Sequence, residues 1–264
     1  MRNAPKLKNF KYLSREDIGI MSKFVNDDVP VMYGHDRYIN IDNELFEMNQ
    51  LDEQTKGLYI WISTYKQLDR ECNKIVVPRL TLTWIFHELG VDNPRPRMIK
   101  SLRKMLLSLE NCNLIKSNID LEDMSKKTVF DIELLQAAKK FEFFTQVYIG
   151  NIDAIVAAAD GLSTLKYCLT YAVLRSFVTK NKQYTKVITM KRRVISERMN
   201  VSKSTYYYRL NWLRDHHVIA MFVVQMINDY GNQRVLMSDI RDVKELVTTV
   251  DEWKKRKYVS KVLK

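Results

Sequence analysis

The stretch Lys191–Ile219, KRRVISERMNVSKSTYYYRLNWLRDHHVI, decides how the rest of the chain is read. Val194, Ile195 and Met199 set an apolar stripe at helical spacing, Val201 follows as a plug, and Ser202 stands where an N-cap is wanted. Tyr206, Leu210 and Leu213 then fall on one face of a second helix, turned against the first. The opposite face carries Lys203, Ser204, Tyr207, Tyr208 and Asn211, side chains that suit phosphates and base edges when they sit near a helix N-terminus. The spacing predicts a helix-turn-helix whose second helix, with Ser202 at its start, reads DNA.

Downstream, Val218–Met226 is rich in β-branched and aromatic residues, Asn228–Asn232 has turn chemistry, and Gln233–Met237 reads as a return strand. Leu162–Phe177 supplies a helix ahead of the pair. This order of helices followed by a hairpin predicts a winged helix, with Arg234 placed for a wing contact.

An earlier region repeats the plan. Leu51–Leu68 puts Leu58, Ile62 and Tyr65 on one helical face, with Asp52 and Glu53 at the favourable end of the dipole. Leu80–Leu89 is a short second helix closed by Gly90, a residue suited to a left-handed C-cap. Pro96 opens a third helix, Arg95 to Asn113, with Met98, Leu102, Met105 and Leu109 inward and Arg95, Arg97, Lys100, Arg103 and Lys104 outward. Such a basic face can track a phosphate backbone. Leu114–Ile119 and Thr128–Leu134 form the expected wing, its tip Leu121–Lys127 offering Lys126 and Lys127 to phosphate.

The two halves also correspond in order. Tyr38–Asp42 before one first helix has a counterpart in Tyr148–Asp153 before the other, which points to a domain duplication. The expected fold class is α+β, mainly α: two tandem winged helix-turn-helix domains with short β-hairpin wings and a C-terminal helix. The expected bounds are an N-terminal arm or partly ordered segment at 1–35, the first winged helix at 36–140, the second at 141–240, and a helix with a basic tail at 241–264. Gln136–Phe144 is expected to form part of a connecting helix.

Composition narrows the function classes. The 264 residues are 46% hydrophobic, enough for real cores, and 43 Lys and Arg against 31 Asp and Glu leave a net charge of +12. That balance favours an anionic polymer or an anionic membrane surface as partner. Cys72, Cys112 and Cys168 are far apart and odd in number, which reads as reduced thiols in a cytoplasmic protein. No secretion signal is read at the N-terminus, and the apolar region Ile152–Phe177 is broken by Asp160, Gly161, Lys166 and Arg175, so no membrane partner is expected. No Gly-rich phosphate cradle occurs, which argues against an ATPase or a dinucleotide enzyme. The run Tyr206–Tyr208 invites a nucleophile reading, but His216 and His217 are adjacent and diverge by about 100° around a helix, a poor pair of metal ligands. No catalytic residue, metal or cofactor is therefore assigned, and the chain is read as no enzyme.

The segments YINIDNELFEMNQLDEQTKGLYIWI (38–62) and VISERMNVSKSTYYYRLNWLRDHHVI (194–219) resemble the tandem winged-helix replication initiators of plasmids. They are also similar to the helix-turn-helix replication and replisome-organiser proteins of phages and mobile elements from low-GC Gram-positive bacteria. The resemblance implies binding to repeated or palindromic double-stranded DNA sites at an origin, one major groove per winged helix, with a homodimer and replication proteins as further partners it allows. A transcriptional regulator of a mobile element would use the same fold, and a protein-interaction scaffold is a third reading.

Overall fold

The computed structural model describes residues 10–12, 32–34, 37–135, 144–178, 186–189, 192–227 and 233–263. In chain order the elements are β1 (Phe10–Tyr12), β2 (Met32–Gly34), β3 (Tyr38–Asp42), α1 (Glu44–Glu47), α2 (Glu53–Ser63), β4 (Gln67–Asp69) and β5 (Lys74–Leu80). Then come α3 (Leu82–Glu88), α4 (Pro96–Asn111), β6 (Ile115–Ser117), β7 (Phe130–Leu134), β8 (Phe144–Tyr148), α5 (Ile149–Ala158) and α6 (Ser163–Ser176). The last third holds α7 (Arg192–Arg198), α8 (Lys203–Asp215), β9 (Ile219–Met226), β10 (Gln233–Asp239), a 3₁₀ turn at Ile240–Asp242, α9 (Val243–Lys255) and β11 (Val259–Val262). The chain is α+β, with about 47% helix and 24% strand. Among the described residues no helix is long and apolar enough to cross a membrane.

The chain divides into two compact units, Arg37–Ala172 and a second made of Met1–Asp36 with Val173–Lys264. The boundary expected between 140 and 141 differs from this division, in which β8, α5 and most of α6 fall in the first unit. The reason is backbone pairing. β8 runs antiparallel to β3 from Tyr38↔Tyr148 to Asp42↔Phe144, so Tyr148, the first residue of the segment read as a second domain's start, is the sheet partner of Tyr38, the first residue of the other. The rest of that segment, Ile149–Asp153, is not strand but the start of α5. The connecting helix expected at 136–144 falls on residues outside those described, apart from Phe144, which opens β8.

In the first unit α2 is buried along its length from Thr55 to Ser63, a core helix rather than one with a single apolar face. Asp52 caps it, Oδ1 accepting from the Thr55 amide at 2.7 Å. Lys56 lies inside with it, donating to the Phe46 carbonyl at 2.9 Å, and burial pulls its pKa down against the opposing charge of Glu53. Gly57 lets α6 approach closely, because a Cβ there would stand 2.0 Å from the Leu165 carbonyl oxygen. Trp61 stacks on Trp84 of α3 at 5.9 Å, and Tyr65 meets both rings edge-on. A four-stranded sheet ordered β4, β5, β7, β6 completes the unit. The β4–β5 hairpin was not read from the sequence; its exposed Cys72–Asn73 turn and the Pro78–Arg79 bulge hide the alternation that marks a strand.

In the second unit β9 pairs β10 from Ile219↔Asp239 to Gln225↔Gln233, the hairpin the sequence predicts. Its turn, Asn228–Asn232, lies outside the described residues. The expected C-terminal helix is present, and the basic tail after it returns as a strand. Helix α9 lays Val243, Leu246 and Val250 against Ala220, Phe222, Val224, Leu236 and Val259, and β11 returns to pair with β9 as a third strand. Val243, Leu246, Val250 and Val259 thus belong to this unit's core. Behind the sheet, Arg175 pairs with Asp239 in a buried ion pair, and Lys186 reaches Asp242 at 2.7 Å. Burial pushes the Asp242 carboxyl up, against the lowering effect of the Lys186 hydrogen bond. Of the expected arm 1–35, only β1 and β2 are described, and they pair antiparallel.

Candidate nucleic-acid interface

Helix α7 ends where Asn200 adopts φ 52°, its amide donating to the Glu197 carbonyl and that of Val201 to Ser196, so the chain turns sharply. Ser202 then caps α8, its hydroxyl accepting from the Thr205 amide at 3.2 Å and lying 2.9 Å from the hydroxyls of Ser204 and Thr205. Tyr206, Leu210 and Leu213 are buried with Ile195 and Met199, as the spacing predicts. Val194 departs from it: it is 39% exposed, because a seven-residue helix turns only two adjacent positions and their next-turn neighbour inward.

The outer face of α8 exposes Lys203, Ser204, Tyr208 and Asn211, while Tyr207 is half-buried with its ring 5.7 Å from that of Tyr206. Tyr208 alone of the three consecutive tyrosines is open to solvent, at 65%. His216 follows as the C-cap with its ring 4.2 Å from Trp212, and His217 turns out of the helix at φ 56°. Arg234 is half-buried and pairs with Val224, on the sheet face that α9 covers, rather than on the hairpin turn itself.

In the first unit, Gly90 at φ 76° closes α3, with its amide donating to His87 and that of Val91 to Phe86. Pro96 opens α4, which buries Leu102, Met105, Leu106 and Leu109. Arg95, Arg97, Lys100 and Lys104 are exposed together on its outer side. Arg103 is the exception among the basic residues expected to face phosphate. It is half-buried, and its Nη2 donates to the Met124 carbonyl at 2.7 Å. The segment 121–127 is correspondingly no free tip: Leu121 and Met124 are buried, and the Lys126 carbonyl accepts from both the amide and the hydroxyl of Thr83. Lys126 and Lys127 keep their side chains exposed on this anchored loop.

Taken separately, each unit therefore presents one helix with a polar or cationic outer face that follows a shorter helix. These sites are surfaces of donors and charge. Among the described residues no group of three His, Cys, Asp or Glu is arranged to hold a metal ion. The thiols are spread in the same way, Cys72 exposed, Cys112 half-buried and Cys168 buried, the last with its pKa pushed up by burial. Sequence reasoning missed the role of Arg103, since a half-buried guanidinium and a phosphate-seeking one leave the same letter at the same helical spacing. No family model, curated protein or solved structure matches the chain.

Proposed function

We propose that the chain binds double-stranded DNA sequence-specifically through two winged-helix modules, one in each unit, as a replication initiator or replisome organiser of a plasmid, phage or other mobile element. The observation that carries this reading is a pairing repeated in both units. In the first, α2, the β4–β5 hairpin, α3, α4, β6 and β7 follow in order, and β5, the strand next before α3, pairs with β7, the last. In the second, the end of α6 from Val173 onward is followed by Ile188, α7, α8, β9 and β10, and Ile188 bridges to Met237 of β10, again the last strand. This order of helices and strands with this closure supports a winged-helix plan, in which the third helix is the groove reader.

The third helices support DNA as the partner. Helix α8 combines Lys203, Ser204, Tyr208 and Asn211, a mixture able to read base edges and phosphates, whereas α4 shows cations and suits backbone contact. The net charge of +12 favours the encounter. The replication role rests on the resemblance of segments 38–62 and 194–219 alone. Selection of bound fragments from random duplex DNA at two salt concentrations tests the reading. A discrete motif with half-sites about one helical turn apart, about 10 bp, is expected. Recovery of no motif, with binding abolished by modest salt, would reduce the chain to a non-specific polycation binder and overturn the proposal.

A further inference from the structure

The C-terminal basic segment is built into the second unit's sheet. Helix α9 ends with Lys254 and Lys255, and the chain turns through Arg256 and Lys257 into Tyr258 and β11. Lys257 is held at φ 57°, the left-handed region where glycine is the usual residue. Its amide donates to the Lys254 carbonyl, and that of Tyr258 to Trp253, both at 2.9 Å. The Ile227 amide donates to the Tyr258 carbonyl at 2.9 Å, so the turn stands beside the residue at which β9 passes into the hairpin turn. Neighbouring strands lie about 4.8 Å apart, which sets the turn 254–258 directly beside Ile227 at this end of the sheet. Lys254, Lys255, Arg256, Lys257 and Lys261 are all exposed there, and no Asp or Glu occurs after Glu252. Lys261 pairs with Gln225, as Gln233 does, on the face away from α9. Tyr258 and Ile227 are 44% and 47% exposed at the same end.

We propose that this end of the β10–β9–β11 sheet is a second DNA contact, in which the basic turn 254–258 and Lys261 grip the phosphate backbone of a duplex beside the groove that α8 enters. The inference rests on the DNA-binding reading above and adds a site to it. Ammonium and guanidinium groups on a fixed turn neutralise phosphates without regard to sequence, and the Tyr258 hydroxyl donates to the same oxygens. The left-handed Lys257 keeps a cation where a glycine would fit the backbone better, and strain of that kind collects where a side chain is needed. A bilayer surface is the poorer partner. The apolar face of α9, the part that would enter lipid, is already spent on the sheet through Val243, Leu246 and Val250.

The test is fluorescence anisotropy of the full chain on a labelled mixed-sequence duplex, titrated over salt. Replacing Lys254, Lys255, Arg256 and Lys257 together by Gln should reduce the slope of log K against log salt by about 3 to 4. Lys257→Gly alone should reduce it by about 1 while leaving the thermal midpoint unchanged or higher, which separates the contact from any folding defect. Wild-type binding with a slope unchanged in both variants overturns this inference and leaves the α8 reading standing. Failure of the wild-type chain to bind duplex at all overturns both. If the variants lose binding to anionic phosphatidylserine vesicles but retain the wild-type slope on DNA, the turn is a lipid contact and the proposal is wrong.

Discussion

Asp153 and Arg103 show how a side chain's surroundings overrule its type. The Asp153 carboxyl on α5 is pushed up to about 6, first by burial and then by Glu88, with Arg37 pulling the other way. The folded state therefore holds this proton above the ordinary value of 3.8. Stability falls as pH rises between about 4 and 6 and is flat beyond, because over that window the native chain binds more protons than the unfolded one. Asp153→Asn should raise the unfolding free energy at pH 7 by about 1 kcal/mol, after discounting for partial exposure, and remove that slope from urea melts. Identical pH profiles for the variant and the parent would reject this assignment. Arg103 makes the opposite case. Because its guanidinium supports the Met124 carbonyl, Arg103→Ala should cost about 2 kcal/mol of stability yet leave the salt slope of DNA binding where it was. A slope reduced without loss of stability would return Arg103 to the phosphate-facing set. Neither property was legible in the sequence, where Asp153 is one more helix carboxylate and Arg103 one more cation in a stripe. Ser202 was legible, because capping needs only its own hydroxyl and the amide of Thr205, three residues on.

At the scale of elements, local chemistry and packing divide the work. Helix α8 was readable from its cap and its Tyr206, Leu210 and Leu213 spacing, and Ser202→Ala should lower stability by about 1 kcal/mol in denaturant melts. A loss well under this would mean that neighbouring hydroxyls, Ser204 and Thr205, replace the cap. Helix α2 was readable as a helix but not as a buried one, since LDEQTKGLYIWISTYKQL mixes Lys, Gln and Thr into positions that tertiary contacts enclose. Its Gly57 lies against the backbone of α6. Gly57→Ala would drive a methyl into the Leu165 carbonyl, and about 3 kcal/mol of destabilisation is expected. A neutral result in urea titration would show that α6 can slide away at little cost. Strands suffered most. β4 and β5 were missed because Asp69–Asn73 and Pro78–Arg79 interrupt them, and β11 was taken for a tail because its Lys and Ser residues carry no apolar run.

At the scale of the whole molecule, the proposal of two reading helices implies two separable contributions to DNA binding. Replacing Arg95, Arg97, Lys100 and Lys104 by Gln should reduce the salt slope by about 3 to 4 while the selected motif stays the same. Replacing Lys203, Tyr207 and Tyr208 by Ala should instead erase the sequence preference and keep most of the non-specific affinity. A charge variant with a wild-type slope would remove the first unit from the DNA. The amino-acid sequence by itself determined the two helix-turn-helix patterns, their caps and breakers, the hairpin after α8 and the positive charge. Each of these depends on residues a few positions apart, or on sums that ignore position. Only the tertiary structure decided that β3 pairs with β8 and carries α5 into the first unit, that Arg103 is tied to Met124, and that the basic C-terminal segment is a strand beside β9. Those outcomes join residues tens to more than a hundred positions apart, and their cause is the need to pair backbone groups and enclose apolar faces, a demand that any single segment could have met in several ways.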